Sequence, residues 1–340
     1  MQRSEITIDL GAVGRNVRTL LRALGSSQVW AVVKADGYGH GAEDVARAAL
    51  AAGATALCVA TVPEGLALRV AYPTARIIVM GPAGTAEAVV QARDGRLELV
   101  IGDGAIPEGI PVHLKLDTGM GRYGLPELPA PPAQVVGLMT HLATADTDLL
   151  FARTQLERFE AATAQHAHLE RHAANSAAAL RFPEARLDAA RCGIALYGLS
   201  PFGTDPAEDG LQPVLSWRST LSQVKKLDRG ESTGYGRRFV AKDPTWIGLV
   251  PVGYADGFRR DLTGTEILVG GERRRAVGTI SMDSFAVELD RELPVGTPVV
   301  LIGDGVLAEE HARIAGTINY ELVCGIETGP LRASRVVSNG

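Results

Sequence analysis

The sequence predicts an α/β protein, an eight-stranded β/α barrel of the TIM type followed by a carboxyl-terminal all-β domain. Three observations carry this expectation. Apolar, β-branched runs alternate with helical patterns through the first half of the chain. After about Gly210 strand-like runs dominate, separated by glycine turns. The first buried-type run ends in a lysine, Lys34, followed by a glycine-rich turn and a helical stretch, as when a barrel presents a reactive group at a strand's carboxyl end.

Taken in order, strands are expected over 29–34, 57–61, 76–80, 97–101, 112–116, 135–140, 173–176 and 187–189, with helices over 44–52, 63–71, 85–92 and 149–168. Two crossovers look too thin for a helix. One is the short segment 102–111, and the other contains the proline cluster 125–132. One flank of the barrel is therefore expected to lack helices and to be covered by loops or a partner subunit. Beyond Gly210, strands are expected over 215–227, 246–251, 266–269, 276–279, 285–289 and 298–302. The opening strand, 4–10, is a candidate to pair with this second domain. The expected domains are 10–210 for the barrel and 211–340 for the β domain, joined by the 1–9 strand.

The 340 residues are 46% hydrophobic and 21% charged, as in ordinary globular proteins. A formal net charge of −5 without a long basic run argues against nucleic-acid or anionic-membrane binding. No apolar stretch is long enough to span a bilayer, and no apolar signal region follows the start, so a cytoplasmic location is expected. Cys58, Cys192 and Cys324 are widely spaced and form neither a disulfide framework nor a metal-ligand pattern.

Lys34 carries the first chemical reading. Burial disfavours the charged ammonium, and a neutral amine is a nucleophile suited to a Schiff base with a carbonyl compound. The competing reading is a lysine that snorkels to water. Taken alone, Ser176 reads as a helix N-cap, Tyr320 as a core aromatic, Arg191 as a surface ion-pair residue, Tyr254 as a strand-end aromatic and His141 as a satisfied core histidine.

The segment VVKADGYGHG (32–41) closely resembles the pyridoxal 5'-phosphate attachment segment of alanine racemases. Further segments resemble the same family in order: HLKLDTGMGR (113–122), THLATAD (140–146), HAANS (172–176), RCGIALYG (191–198), VGYADG (252–257), ISMD (280–283) and TINYE (317–321). The resemblance implies that Lys34 carries the cofactor. It also implies that Tyr38, Ser176, Tyr320 and the N–H groups of Gly193 and Ile194 hold the phosphate, and that Arg191 faces the pyridine nitrogen. An arginine there can only donate, so the nitrogen stays unprotonated and the electron sink shallow, which favours racemisation over transamination. The resemblance assigns Lys34 to the proton of the D-enantiomer and Tyr254 to that of the L-enantiomer, with His141 linking Tyr254 to Arg191. Arg122 and the N–H of Met282 would hold the substrate carboxylate, and Lys115 matches a lysine often carbamylated in the family.

The activity implied by the resemblance is that of an isomerase interconverting L- and D-alanine for cell-wall peptidoglycan, acting as a head-to-tail homodimer. Tyr254 and Met282 would come from the partner chain. A broader amino-acid racemase acting also on serine, a non-catalytic PLP-binding protein and a PLP decarboxylase are the alternatives. One departure concerns specificity: Thr279 stands where the family usually has an arginine at the substrate entrance, which would widen access.

Overall fold

A computed structural model describes residues 3–339. The chain divides into two units. One runs from Gly11 to Phe202 and includes Pro206–Gln212; the other comprises the amino-terminal segment through Leu10, Gly203–Asp205 and the chain from Pro213 onward.

The elements begin with strand β1 (Glu5–Asp9) and helix α1 (Leu10–Leu24). The first unit then holds eight parallel strands: β2 (Gln28–Val32), β3 (Ala56–Val59), β4 (Ile77–Val79), β5 (Glu98–Ile101), β6 (Val112–Lys115), β7 (Val135–Met139), β8 (Glu170–His172) and β9 (Ala189–Cys192). They lie side by side in the order β8-β7-β6-β5-β4-β3-β2-β9. The sheet curls until its ends meet: Asp188 N–H donates to Arg171 O at 3.0 Å and Arg191 N–H to Ala174 O at 2.9 Å. Helices α2 (Ala42–Ala51), α3 (Val62–Ala71), α4 (Ala86–Asp94) and α5 (Leu149–Thr163) supply four crossovers, and α6 (Ser176–Arg181) is a short one. Among the described residues no helix joins β5 to β6 or β6 to β7, so the helix-poor flank expected from the prolines is present. A groove of about 670 Å³ runs there, lined in part by Asp117, Pro126, Leu128 and Arg158.

The two last barrel strands depart from expectation. The seventh is Glu170–His172 rather than 173–176, and Ser176 begins α6. Its Glu170 and His172 side chains find partners inside the barrel, which an apolar-run criterion cannot see. The eighth is Ala189–Cys192 rather than 187–189. Leu187 has φ 48°, which ends strand geometry there, and the strand includes the buried Arg191.

At the amino ends of the strands, Arg76 binds Glu98 (2.8 Å) and Glu170 (2.7 Å), and its guanidinium lies 4.7 Å from the Trp30 ring. Burial would raise the pKa of Glu98, but hydrogen bonds from His113 and Arg76 outweigh it and hold the carboxyl at about 2, against 4.5 ordinarily. A depressed folded-state pKa stabilises the fold above the unfolded value and loses that contribution as pH falls through the folded one. Glu98→Gln should therefore lower stability at pH 7 by roughly 2–3 kcal/mol. It should also flatten the stability loss between pH 4.5 and 2, as urea unfolding at several pH values will show.

The second unit contains a nine-stranded sheet. It adds to β1 the strands β10 (Leu215–Thr220), β11 (Gln223–Leu227), β12 (Ser232–Thr233), β13 (Phe239–Val240), β14 (Thr245–Val250), β15 (Glu266–Val269), β16 (Glu272–Val277), β17 (Phe285–Leu289), β18 (Pro298–Ile302) and β19 (Ser334–Ser338). The sheet order is β11-β14-β17-β16-β15-β18-β10-β1-β19, while β12 and β13 form a separate hairpin. The opening strand does join this unit: β1 pairs antiparallel with β10 and parallel with β19. The unit is not all β, because α7 (Ala308–Ala315) and α8 (Asn319–Cys324) interrupt it. Helix α7 is amphipathic, burying Ala308, His311 and Ala312, with acidic residues in its first turn and Gly316 at its end.

Candidate active site

Five strand ends of the barrel converge on one face. Lys34 follows β2, Arg122 lies in the loop after β6, His141 follows β7, Ser176 follows β8, and Gly193 and Ile194 follow β9. This is the carboxyl face, where barrel enzymes place their chemistry.

Lys34 is half-buried after the fully apolar run Val29–Val33, with its Nζ 6.0 Å from the centre of the Tyr38 ring. The chain then makes a left-handed turn. Ala35, Asp36, Gly37 and Tyr38 have φ of 53°, 49°, 62° and 55°. Left-handed geometry costs roughly 1–2 kcal/mol per non-glycine residue, so something must hold the turn. Glu64 does so. One carboxylate oxygen accepts from Ala35 N–H at 2.8 Å, and the other accepts from Ala60 and Thr61 N–H at 2.8 and 3.1 Å. The Asp36 carboxylate accepts from Ala42 N–H at 2.8 Å and ties the turn to α2. Glu64→Ala should cost about 1–2 kcal/mol through the lost capping box alone, read from the urea midpoint.

The Ser176 reading as an N-cap fails. Asn175 caps α6, its side chain accepting from Ala178 N–H at 3.0 Å. Ser176 Oγ instead accepts from Gly193 N–H at 2.9 Å and Ala195 N–H at 3.3 Å, which leaves its own proton to donate. The buried Ile194 N–H has no acceptor among the described residues. A Cβ on Gly193 would lie 2.4 Å from the Tyr38 hydroxyl, so only glycine lets the phenol approach. The Tyr38 phenol, the Ser176 hydroxyl and the Ile194 N–H thus form a cradle of donors that suits an anion, while the Gly193 N–H is turned to Ser176 Oγ.

Arg191 is buried and is no surface ion-pair residue. It donates to His172 Nδ1 (2.7 Å), His172 O (2.9 Å), Thr140 O (2.8 Å), Ala173 O (3.1 Å) and His141 Nδ1 (3.4 Å). Burial lowers its pKa to about 10, which leaves it cationic at neutral pH. Because arginine only donates, Nδ1 of both histidines must accept, so each neutral ring carries its proton on Nε2. His172 Nε2–H then donates to His113 Nδ1 at 3.0 Å, and His113 Nε2–H donates to Glu98 at 2.8 Å. Burial, then the nearby Arg191, Lys115, Arg122 and Lys34 cations, push His141 to about 3. It is neutral at pH 7 and offers an N–H. Lys115 donates to Arg122 O at 3.0 Å, and burial, then the Arg122 and Arg191 cations, lower its pKa to about 8. Arg122 itself is exposed.

The second unit assembles the remaining candidates. Tyr254 and Met282 are 45% and 52% exposed, unlike packed core residues. They sit on adjoining turns: Tyr254 N–H donates to Ser281 O at 3.1 Å and Ala255 N–H to Met282 O at 3.0 Å. A Cβ on Gly253 would lie 2.3 Å from Ser281 O, so the two turns meet only because that residue is glycine. Tyr320 opens α8 and is half-buried, not a core aromatic. Its helix is tied to the Tyr254 turn by the Arg259–Glu321 ion pair at 2.7 Å. Thr279 is buried and donates to Tyr235 O at 2.8 Å.

Known proteins resemble this chain in sequence and in fold. The family profile for the alanine racemase N-terminal domain matches residues 8–201, and that for the alanine racemase C-terminal domain matches residues 214–336. The chain is 38% identical to an alanine racemase of Lactiplantibacillus plantarum over 96% of each chain. It is 40% identical to one of Symbiobacterium thermophilum over 94% of this chain and 93% of the relative. Its fold superimposes on the biosynthetic alanine racemase of Pseudomonas aeruginosa with a TM-score of 0.92 at 36% identity, covering 99% of this chain and 100% of the other. Against the alanine racemase of Bacillus anthracis with bound L-Ala-P, the TM-score is 0.86 at 33% identity, covering 99% and 95%. The chain belongs to the alanine racemase family.

Proposed function

We propose that this protein is a pyridoxal-phosphate-dependent alanine racemase that uses Lys34 and Tyr254 as its two bases. The observation that carries this reading is the buried Arg191, fixed by carbonyls and imidazoles at the barrel face that also bears Lys34.

The cradle fits the cofactor. A phosphate dianion finds the Ile194 N–H, the Ser176 hydroxyl proton and the Tyr38 phenol, and Tyr320 adds a donor by family resemblance. When bound, the cofactor delocalises the electrons left at Cα after a proton departs. Arg191 keeps that sink shallow, because a guanidinium cannot give the ring nitrogen a proton as a carboxylic acid would. With the sink kept shallow, return of the proton to Cα would be favoured over its transfer to the cofactor.

Inverting the centre requires proton transfer on both faces. Lys34 Nζ takes or returns the proton of D-alanine, and the Tyr254 phenol that of L-alanine. A phenol with pKa near 10 needs help to act at neutral pH. His141, neutral with its proton on Nε2, is built to donate to such a phenolate. Arg122 and the Met282 N–H hold the substrate carboxylate so that Cα stays between the bases. The neutral fraction of Lys115 can take up CO₂ as a carbamate, placing an anion beside Arg122.

Because Tyr254 and Met282 belong to the other unit, the family arrangement of a head-to-tail homodimer with shared sites applies. Supply of D-alanine to peptidoglycan in the cytoplasm follows as the biological role. Activity per chain should fall on dilution below the dimer dissociation constant; full activity of a proven monomer refutes the shared site.

Circular dichroism of L-alanine incubated with the PLP-loaded enzyme tests the reaction. The signal should decay to zero, and a stable signal leaves only a binding protein. Alanine and serine differ by one hydroxyl, which an apolar pocket rejects by only about 100-fold. Serine should therefore racemise measurably but more slowly, with lysine and arginine slower still.

A further inference from the structure

We propose that Asp256, gripped by Arg3 and Arg332, is a positioning residue that sets the Tyr254 phenol and the Met282 N–H in their working geometry. The proposal rests on the two-base reading above.

Tyr254 is half-exposed, so packing around its ring does not fix it; the turn beneath must. Asp256 closes that turn from inside. Its side chain is 2% exposed, and it accepts from Gly253 N–H at 2.8 Å, Arg332 Nε at 2.7 Å and Arg3 Nη2 at 3.2 Å. Its carbonyl accepts from Glu327 N–H at 3.0 Å.

The same two arginines hold the neighbouring turn. Arg332 Nη2 donates to the Asp283 carboxylate at 2.8 Å, and Arg3 Nη2 to Asp283 O at 2.8 Å. Asp283 directly follows Met282. Each guanidinium therefore spans both turns, and the backbone bonds Tyr254–Ser281 and Ala255–Met282 complete the link. A planar fork with several donors can bridge two acceptors in fixed geometry, which a lysine cannot.

The arginines come from opposite ends of the chain. Arg3 precedes β1 and Arg332 precedes β19, and these strands pair in parallel, with Ser334 N–H donating to Ser4 O at 3.0 Å. Pairing of the first strand with the last thus brings both clamps to one carboxylate.

Asp256→Asn keeps the size of the side chain but points an NH₂ at a guanidinium. Racemisation of alanine should fall about 10- to 100-fold, the scale set by a misplaced catalytic group. Washout of the α-proton of D-alanine into D₂O, which needs Lys34 but not the Tyr254 phenol, should fall clearly less than racemisation at saturation, with KM raised by the displaced Met282 N–H. Amide hydrogen exchange at 253–257 should accelerate about tenfold or more in the unloaded chain. Arg332→Lys should recover part of the racemisation lost in Arg332→Gln, which keeps the test available if Asp256→Asn does not fold. The proposal is overturned if washout and racemisation fall in step, if racemisation is unchanged, or if amide exchange in the turn does not move. Failure of the two-base reading looks different: Tyr254→Phe would racemise normally while Asp256→Asn still loosened the turn.

Discussion

Replacing Lys34 with alanine should abolish racemisation and leave the purified protein colourless when pyridoxal phosphate is added. Wild-type protein should turn yellow, and borohydride should fix the pyridoxyl group on the peptide that contains Lys34. The effect is the largest expected from any single substitution, because in the proposed mechanism Lys34 both anchors the cofactor and serves one face of the substrate. Loss of a nucleophile with this double duty removes catalysis rather than trimming it. The fold should survive. Lys34 is half-buried at a strand end, and the turn behind it is held by Glu64 and Asp36 rather than by the lysine itself. Unfolding in urea should therefore match wild type. A colourless variant that still racemises would remove Lys34 from the mechanism.

Tyr254→Phe should keep the colour and lose racemisation by about 10²–10⁴-fold, the usual contribution of a positioned acid–base group. The substitution deletes one oxygen from a side chain that is already 45% exposed, so stability should change little. Its backbone bond to Ser281 is unaffected, and Met282 stays in place. Because the two enantiomers are equal in free energy, kcat/KM must fall equally in both directions. The asymmetry appears only in proton exchange that stops short of inversion.

Parts of this chemistry are legible from residue order, and parts are not. Lys34 stands out because a lysine closing an apolar, β-branched run is costly unless it has work to do. The proline cluster after β6 marks a flank without helices, since Pro removes the donor a helix needs. Strand β8 escapes because its Glu170 and His172 side chains pair across the barrel interior, which no hydrophobic pattern records. Arg191 reads locally like any surface cation; only its carbonyl and imidazole partners, up to 51 residues away in the chain, make it a buried donor. Tyr254 and Met282 lie in exposed turns with no periodic signal, so only family resemblance marks them. Asp256 has no such mark, and its contact with Arg3 spans 253 residues, beyond any local rule. Glycine at 253 and 257 is the one available hint that this turn is crowded.

The central claim is a lysine and a phenol on opposite faces of one carbon. The most direct measurement is proton NMR of L- and D-alanine, each incubated in D₂O with PLP-loaded Tyr254→Phe. D-alanine should lose its α-proton signal while remaining D, and L-alanine should keep its own. Exchange of both enantiomers at comparable rates would contradict the account.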